Sequence, residues 1–257
     1  MVPLTSSDRT MSGAPAERLV AGAIRPAMGP DGASILYFTD PGPASVALFQ
    51  PERAGIMRSA LLGGPPQLLG DAGSRPGAIR CARTVSACVV SENNPRIAWY
   101  VLHPLKGIGR ELFKIDPSDL PEHKWDWDWT SWDQDWDLSP DGSSVAVPTR
   151  RAQKGRIEIR PFAGGRIRQL SLTGWANPMN VHWSPDGKSL FVIAFSTKGV
   201  RPQGTEWPSL LRFDFQGKVQ VLRQQSEWLD PIPSPDGRHL ALLGQVTTRN
   251  VWMLENF

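Results

Sequence analysis

Tryptophan and aspartate alternate in one segment of the chain, residues 123–137, which concentrates side chains with binding chemistry. The segment holds five of the 11 tryptophans, together with five aspartates. Indole rings stack on flat ligands and attract cations, and carboxylates accept hydrogen bonds or pair with positive charge. The pattern therefore indicates a site for a sugar, a cationic ligand or a peptide. The candidate ligand-binding residues are Trp125, Trp127, Asp128, Trp132 and Asp133.

Two other interpretations of this segment stay open. In the first, one or two of its tryptophans fill a hydrophobic core and the others form a local cluster. In the second, Asp126 and Asp128 act as the acid and base of a glycosidase. The repeated Trp-Asp pair favours local duplication over a tuned catalytic pair.

Other catalytic patterns are missing from the sequence. Phosphoryl transfer needs a glycine-rich loop with a lysine, a catalytic aspartate and metal-binding groups, and Gly107-Ile108-Gly109 is only a fragment of such a loop. No Gly-x-Ser-x-Gly elbow occurs, and the four histidines are scattered. The two cysteines lack the further ligands of a zinc site. We therefore predict no catalytic residue, no metal, no cofactor and no enzymatic activity.

The elements that must position these residues are revealed by a repeated turn. Ser-Pro-Asp-Gly occurs at 139–142, 184–187 and 234–237, with the near copy Gly-Pro-Asp-Gly at 29–32. Proline presets the second turn position, aspartate suits the third, and glycine adopts the left-handed conformation that returns the chain as a hairpin. A short apolar run follows each copy. The predicted structural turn residues are Asp31, Gly32, Asp141, Gly142, Asp186, Gly187, Asp236 and Gly237.

The spacing of the turns predicts a β-propeller. A fifth copy aligns if Thr84 stands where Asp141 does, and successive copies are then 45 to 57 residues apart. That period is typical of four-stranded propeller blades. We predict an all-β propeller of about five four-stranded blades within residues 16–257. The expected blades are 24–72, 77–118, 124–173, 178–224, and 227–257 completed by 17–21.

The ends of the chain leave two alternatives for the ring. Residues 17–21 could pair with residues 250–254, supply the missing outer strand and close the propeller. Alternatively, the chain is an open fragment of a larger propeller. Residues 1–15 are expected to form a disordered tail.

The repeat alignment places Cys81 opposite Cys88 across the second hairpin. Directly opposed residues of an antiparallel pair come within reach of a disulfide. The sequence leaves open a disulfide in an oxidising compartment and two buried thiols in a reducing one.

Charge and hydrophobicity narrow the classes of partner. The chain has 28 basic and 25 acidic residues, a net charge of +3. This balance does not favour nucleic-acid binding, and no apolar stretch approaches the length needed to cross a bilayer. No export signal is recognisable in the sequence. We expect a monomer that binds a protein or a small molecule.

The repeats carry a resemblance to known propellers. The Pro-Asp-Gly hairpins resemble the WD40-like (PD40) repeats of TolB-like β-propellers. Four stretches, 79–92, 106–112, 136–142 and 250–257, resemble the C-terminal propeller region of bacterial receptor-type serine/threonine kinases and winged-helix sensor proteins. The resemblance covers about residues 17–257. It implies a noncatalytic sensory or interaction domain, normally joined to an N-terminal effector and often located outside the cytoplasmic membrane.

Two classes of function follow. The first is a binding or scaffold module, a protein-interaction or sensory domain of a bacterial signalling protein. The second is a propeller enzyme, a hydrolase or lyase that acts on a carbohydrate or lactone through carboxylates in its central channel.

Overall fold

The computed structural model describes residues 23–39, 54–73, 76–93, 97–115, 136–149, 156–197, 208–224 and 228–245. These residues form 18 β-strands. Within them there is no helix, and hence none long and apolar enough to cross a membrane. Residues 1–22 and 246–257, which carry the predicted tail and the predicted ring closure, lie outside the described residues, so both stay predictions.

The strands group into successive blades, each an antiparallel sheet in chain order. Blade 1 consists of β1 (Ala23–Met28), β2 (Ser34–Thr39), β3 (Gly55–Ala60) and β4 (Gln67–Asp71). Blade 2 consists of β5 (Pro76–Cys81), β6 (Cys88–Asn93), β7 (Ile97–His103) and β8 (Gly107–Ile115). Blade 3 consists of β9 (Asp137–Leu138), β10 (Ser144–Thr149), β11 (Arg156–Pro161) and β12 (Arg168–Ser171).

Two further blades complete the described chain. Blade 4 consists of β13 (Trp175–Trp183), β14 (Ser189–Ser196), β15 (Ser209–Asp214) and β16 (Val219–Gln224). The described part of blade 5 consists of β17 (Trp228–Pro233) and β18 (Leu240–Gln245). The all-β propeller is thus confirmed, with four complete four-stranded blades and two described strands of a fifth sheet.

Hydrophobic cores lie between neighbouring blades. The core between blades 3 and 4 contains Ile157 and Leu170 from one sheet and Trp183 and Leu190 from the other. Separate clusters fill the interfaces of blades 1 and 2, 2 and 3, and 4 and 5. Because blade 4 packs against blade 3 on one face and blade 5 on the other, its strand β14 (Ser189–Ser196) buries consecutive apolar residues and does not alternate.

The turns between the first two strands of each blade lie on the same face of the propeller, which we call the hairpin face. Turns of adjacent blades touch there. A Cβ added to Gly187 would lie 3.9 Å from Pro140 Cδ, and one added to Gly237 would lie 3.6 Å from Pro185 Cγ. The first strand of each blade, which leads into the turn, is the inner strand and faces the propeller axis.

Candidate functional site

The repeated turns are held by a hydrogen-bond pattern local to each hairpin. In blade 3, Ser139 Oγ donates a 2.6 Å hydrogen bond to Asp141 Oδ1 and accepts one of 3.0 Å from the backbone N–H of Ser144. Gly142 has a φ of 70°, in the left-handed region that glycine adopts without strain. The turns of blades 4 and 5 repeat the serine-to-aspartate bond at 2.6 Å.

The turn of blade 1 has an equivalent bond from a serine hydroxyl to the turn aspartate, but here the serine follows the aspartate in the sequence. Gly29 replaces the serine, and Ser34 Oγ donates to Asp31 Oδ1 at 2.8 Å. A Cβ on Gly29 would lie 2.4 Å from Ser34 Oγ, so the hydroxyl of Ser34 takes the space that the missing side chain leaves.

These contacts stabilise the ionised form of the turn aspartates. The backbone N–H of Ala33 and the hydroxyl of Ser34 lower the pKa of Asp31 from 3.8 to about 2, with a smaller contribution from Arg58. The hydroxyl of Ser139 is the largest cause of the lowered pKa of Asp141. We interpret these carboxylates as structural turn groups.

The turn of blade 2 is built differently. Cys81 pairs directly with Cys88, and a disulfide joins them with a Cα–Cα distance of 4.0 Å. Thr84, which the alignment placed at the aspartate position, bonds outward: its backbone N–H and its hydroxyl donate to Pro140 O at 3.1 and 2.9 Å. This turn therefore donates hydrogen bonds to the turn of the next blade, whereas the serine–aspartate bonds of blades 3, 4 and 5 lie within one hairpin.

Polar side chains of four successive inner strands meet near the axis. Arg80 Nε lies 3.8 Å from Asp137 Oδ1. Asp137 Oδ2 lies 4.0 Å from His182 Nδ1, and His182 Nε2 lies 2.9 Å from Asp230 Oδ1. We call these four residues, Arg80, Asp137, His182 and Asp230, the axial chain.

Asp137 is the most fully engaged member of the axial chain. Its Oδ1 accepts the backbone N–H of Leu138 at 2.9 Å, and its Oδ2 accepts that of Trp183 at 2.8 Å. The side chain is 12% exposed. The carboxylate therefore joins the inner strands of blades 3 and 4, and the hydrogen bonds compensate for its burial.

Backbone bulges shape the inner strands of blades 1 and 4. Arg25 and Asn180 have positive φ values of 51° and 47°, at irregularities of the pairing with the second strand. Non-glycine residues in this region are strained and cluster at functional sites. Arg25 Nη1 donates to the carbonyls of Pro76 and Gly77, and Asn180 lies two residues before His182.

A groove on the hairpin face separates the turns of blades 3 and 4. Its volume is about 430 Å³, and its apolar lining includes Ile159, Trp183 and Phe215. Asp141 and Asp186 belong to its polar lining, and Arg168 lies with its guanidinium carbon 5.2 Å from the Phe215 ring centroid. The groove can hold an apolar group flanked by charge.

The predicted ligand-binding residues Trp125, Trp127, Asp128, Trp132 and Asp133 lie outside the described residues. The last two residues of their segment are described. Trp136 is fully buried between blades 2 and 3, and Asp137 belongs to the axial chain. Among the described residues, no group of three or more His, Cys, Asp and Glu is placed to hold a metal ion.

Arg80, His182 and Asp230 were not predicted as site residues from the sequence. A signal was present, because Arg80, Asp137 and His182 stand at the same repeat position, two residues before the start of the turn. An alignment of polar residues in the inner strands identifies Arg80, Asp137 and His182. Asp230 lies four residues before its turn and breaks that alignment.

No protein-family model and no curated protein sequence matches this chain. Solved structures do match. TolB from Acinetobacter baumannii has a TM-score of 0.58 at 18% identity, over 84% of this chain and 47% of that one. A putative TolB from Agrobacterium tumefaciens has a TM-score of 0.62 at 19% identity, over 87% and 70%.

An enzyme is also among the similar structures. Oligogalacturonate lyase in complex with manganese has a TM-score of 0.53 at 12% identity, over 84% of this chain and 57% of that one. Identities this low establish the fold alone, and the chain spans about half the length of the Acinetobacter TolB (47%). The chain has the β-propeller fold, similar to that of TolB-like propellers.

Proposed function

We propose that this chain is a noncatalytic β-propeller binding module, a protein-interaction or sensory part of a bacterial signalling protein. The observation that carries the proposal is that the polar side-chain atoms of Asp137 and His182 face other groups of the chain. A general acid or base must reach a proton of the substrate. Both oxygens of Asp137 accept backbone hydrogen bonds, and both ring nitrogens of His182 face carboxylates.

The groove between blades 3 and 4 supports binding as the activity. Its lining combines the partly exposed ring of Phe215 and a small exposed part of Trp183 with the ionised Asp141 and Asp186. Aromatic surface with a few placed polar groups is the usual composition of a recognition site. The resemblance of the turn repeats to TolB-like propellers favours the same class of function.

A propeller enzyme is the second candidate. Asp230 is 35% exposed and pairs with His182, so this carboxylate is the axial group most accessible to a substrate. The similar structures include an oligogalacturonate lyase and a puromycin hydrolase. We rank this candidate second because His182 lies between two carboxylates.

Turnover and binding assays on the purified full chain separate the two candidates. We expect no product from oligogalacturonate with manganese or from puromycin. Turnover that Asp230→Asn abolishes at unchanged melting temperature would replace the binding proposal by the enzymatic one.

Peptide-display selection against the full chain tests binding. We expect enriched peptides that lose affinity for Phe215→Ser, with Val221→Ser on the exposed face of β16 as the matched control. A selection that enriches nothing, or peptides that bind both variants equally, would refute binding at the groove.

A further inference from the structure

We propose that the Cys81–Cys88 disulfide is a redox-sensitive latch, and that its reduction by an external dithiol releases residues 82–87 from blades 3 and 5. We call residues 82–87 the latch turn. This response of the propeller to redox conditions is independent of the ligand that the module binds.

The latch turn lacks the local bonds that hold the other turns. Ala82 and Thr84 stand where Ser139 and Asp141 stand in blade 3, so the bond from a serine hydroxyl to an aspartate has no counterpart in this turn. Its own backbone bonds are Ala82 N–H to Ala87 O and Ala87 N–H to Val85 O, each 2.8 Å. The disulfide closes the hairpin directly beside these bonds.

The latch turn also makes hydrogen bonds to other blades, and these bonds depend on its conformation. Pro140 O accepts three hydrogen bonds from it, at 3.1 Å from Arg83 N–H, 3.1 Å from Thr84 N–H and 2.9 Å from Thr84 Oγ1. Arg83 Nη2 lies 3.4 Å from Pro233 O, at the end of the inner strand of blade 5. The latch turn therefore joins three blades on the hairpin face.

Packing adds to these hydrogen bonds. A Cβ added to Gly142 would lie 2.9 Å from Val85 Cγ2 and 3.2 Å from the Cβ atoms of Ala82 and Ala87. Interfaces this close are sensitive to small displacements. Movement of the latch turn would therefore first displace the turn of blade 3, which it contacts at Gly142.

The two sulfur atoms differ in access. Cys81 is partly exposed and Cys88 is 1% exposed. A thiolate of the dithiol attacks Cys81 Sγ, the disulfide bond breaks, and Cys88 leaves as a thiolate that takes up a proton. The second thiol then attacks the mixed disulfide, which releases Cys81 as a thiol and the dithiol as its disulfide. Two electrons and two protons pass to the protein.

Hydrogen exchange followed by mass spectrometry tests the latch on the purified full chain, with and without dithiothreitol. On reduction, we expect exchange at least about 10-fold faster in peptides that cover 82–90 and 228–233. Without the disulfide, the hairpin opens locally at a lower cost in free energy. A peptide that covers 184–190 is the internal control and should not change, since the Ser184–Asp186 bond does not depend on redox state.

Variants separate the disulfide from the contacts of the latch turn. Cys81→Ser combined with Cys88→Ser should exchange like the reduced chain and show no response to dithiothreitol. Arg83→Gln keeps the disulfide, so it should accelerate exchange in 228–233 while 82–90 stays protected. If the double variant does not fold, the comparison of oxidised and reduced wild type still decides.

Three results would overturn the proposal. Equal exchange in the two redox states would show that the turn holds without the disulfide. Faster exchange in 184–190 as well would mean a general loss of stability. Two free thiols in the untreated, air-exposed chain would mean that the bond does not form.

Discussion

Trp136 Nε1 donates a 3.0 Å hydrogen bond to Ser91 Oγ, which ties the residue before the inner strand of blade 3 to the second strand of blade 2. Ser91 is fully buried, and its Oγ also accepts the backbone N–H of Ala78 at 2.9 Å. One hydroxyl therefore satisfies two donors from different blades. The Ser91 hydroxyl thus links the two blades by hydrogen bonds within their apolar core.

Replacing Ser91 by alanine should lower the free energy of unfolding by about 2–4 kcal/mol, because two buried donors lose their acceptor. Urea denaturation of Ser91→Ala and wild type measures the difference. Ser171→Ala, on the exposed outer strand of blade 3, is the matched control and should change stability by less than about 0.5 kcal/mol. Equal midpoints for Ser91→Ala and wild type would show that water replaces the hydroxyl.

Replacing Asp137 by alanine should cost about 3 kcal/mol of stability, because it removes the acceptor of two backbone N–H groups and leaves Arg80 and His182 beside an apolar side chain. Asp137→Asn should cost less, since its amide oxygen still accepts one of these bonds. Thermal unfolding checks the order. Glu111→Gln, at an exposed position of β8, is the control, and an alanine variant as stable as the asparagine variant would contradict the assigned role.

In the turn of blade 1, a serine at position 29 should be able to replace Ser34 as the source of the hydroxyl that bonds Asp31. Ser34→Ala removes the hydroxyl that bonds Asp31 and should cost about 1 kcal/mol. Adding Gly29→Ser should restore stability, because the new hydroxyl occupies the position that Ser139 has in blade 3. Chemical denaturation of the single and double variants tests the rescue. Ser144→Ala is the control, because Ser139 supplies the hydroxyl in its turn.

The turn aspartates predict a loss of stability in acid. The pKa of Asp31 is about 2 in the folded chain against 3.8 ordinarily, and the pKa values of Asp141, Asp186 and Asp236 are also lowered. A depressed folded pKa stabilises the protein above the unfolded value, and this contribution is lost as the pH falls through the folded pKa. Melting temperature should therefore be level above about pH 5 and fall toward pH 2.

Asp31→Asn tests the assignment of this acid dependence. The difference in melting temperature between wild type and Asp31→Asn should be full at neutral pH and should shrink below about pH 4, as the wild-type carboxylate takes up its proton. Asp71→Asn, outside the repeated turns, is the comparison variant. A difference that stays constant down to pH 2 would exclude the ionisation of Asp31 as its cause.

The architecture was predictable because its signals are local. The bonds that shape a turn such as Ser139–Ser144 connect residues at most five positions apart, so residue type and spacing suffice to recognise it. The opposition of Cys81 and Cys88 followed from the same alignment. The repeat position of Thr84 could be recognised in the same way. Its hydrogen bond to Pro140 could not, because Pro140 lies in the next blade, 56 residues along the chain.

The axial chain was decided by tertiary structure. Arg80, Asp137, His182 and Asp230 are 45 to 57 residues apart in successive pairs, and no local pattern states which of them touch. Their distances depend on how the hydrophobic cores between the blades set the spacing and rotation of the inner strands. The sequence by itself determined the turns, the strands and the repeat, because their hydrogen bonds are short-range. Only the packing of one blade against the next decided which polar side chains meet at the axis.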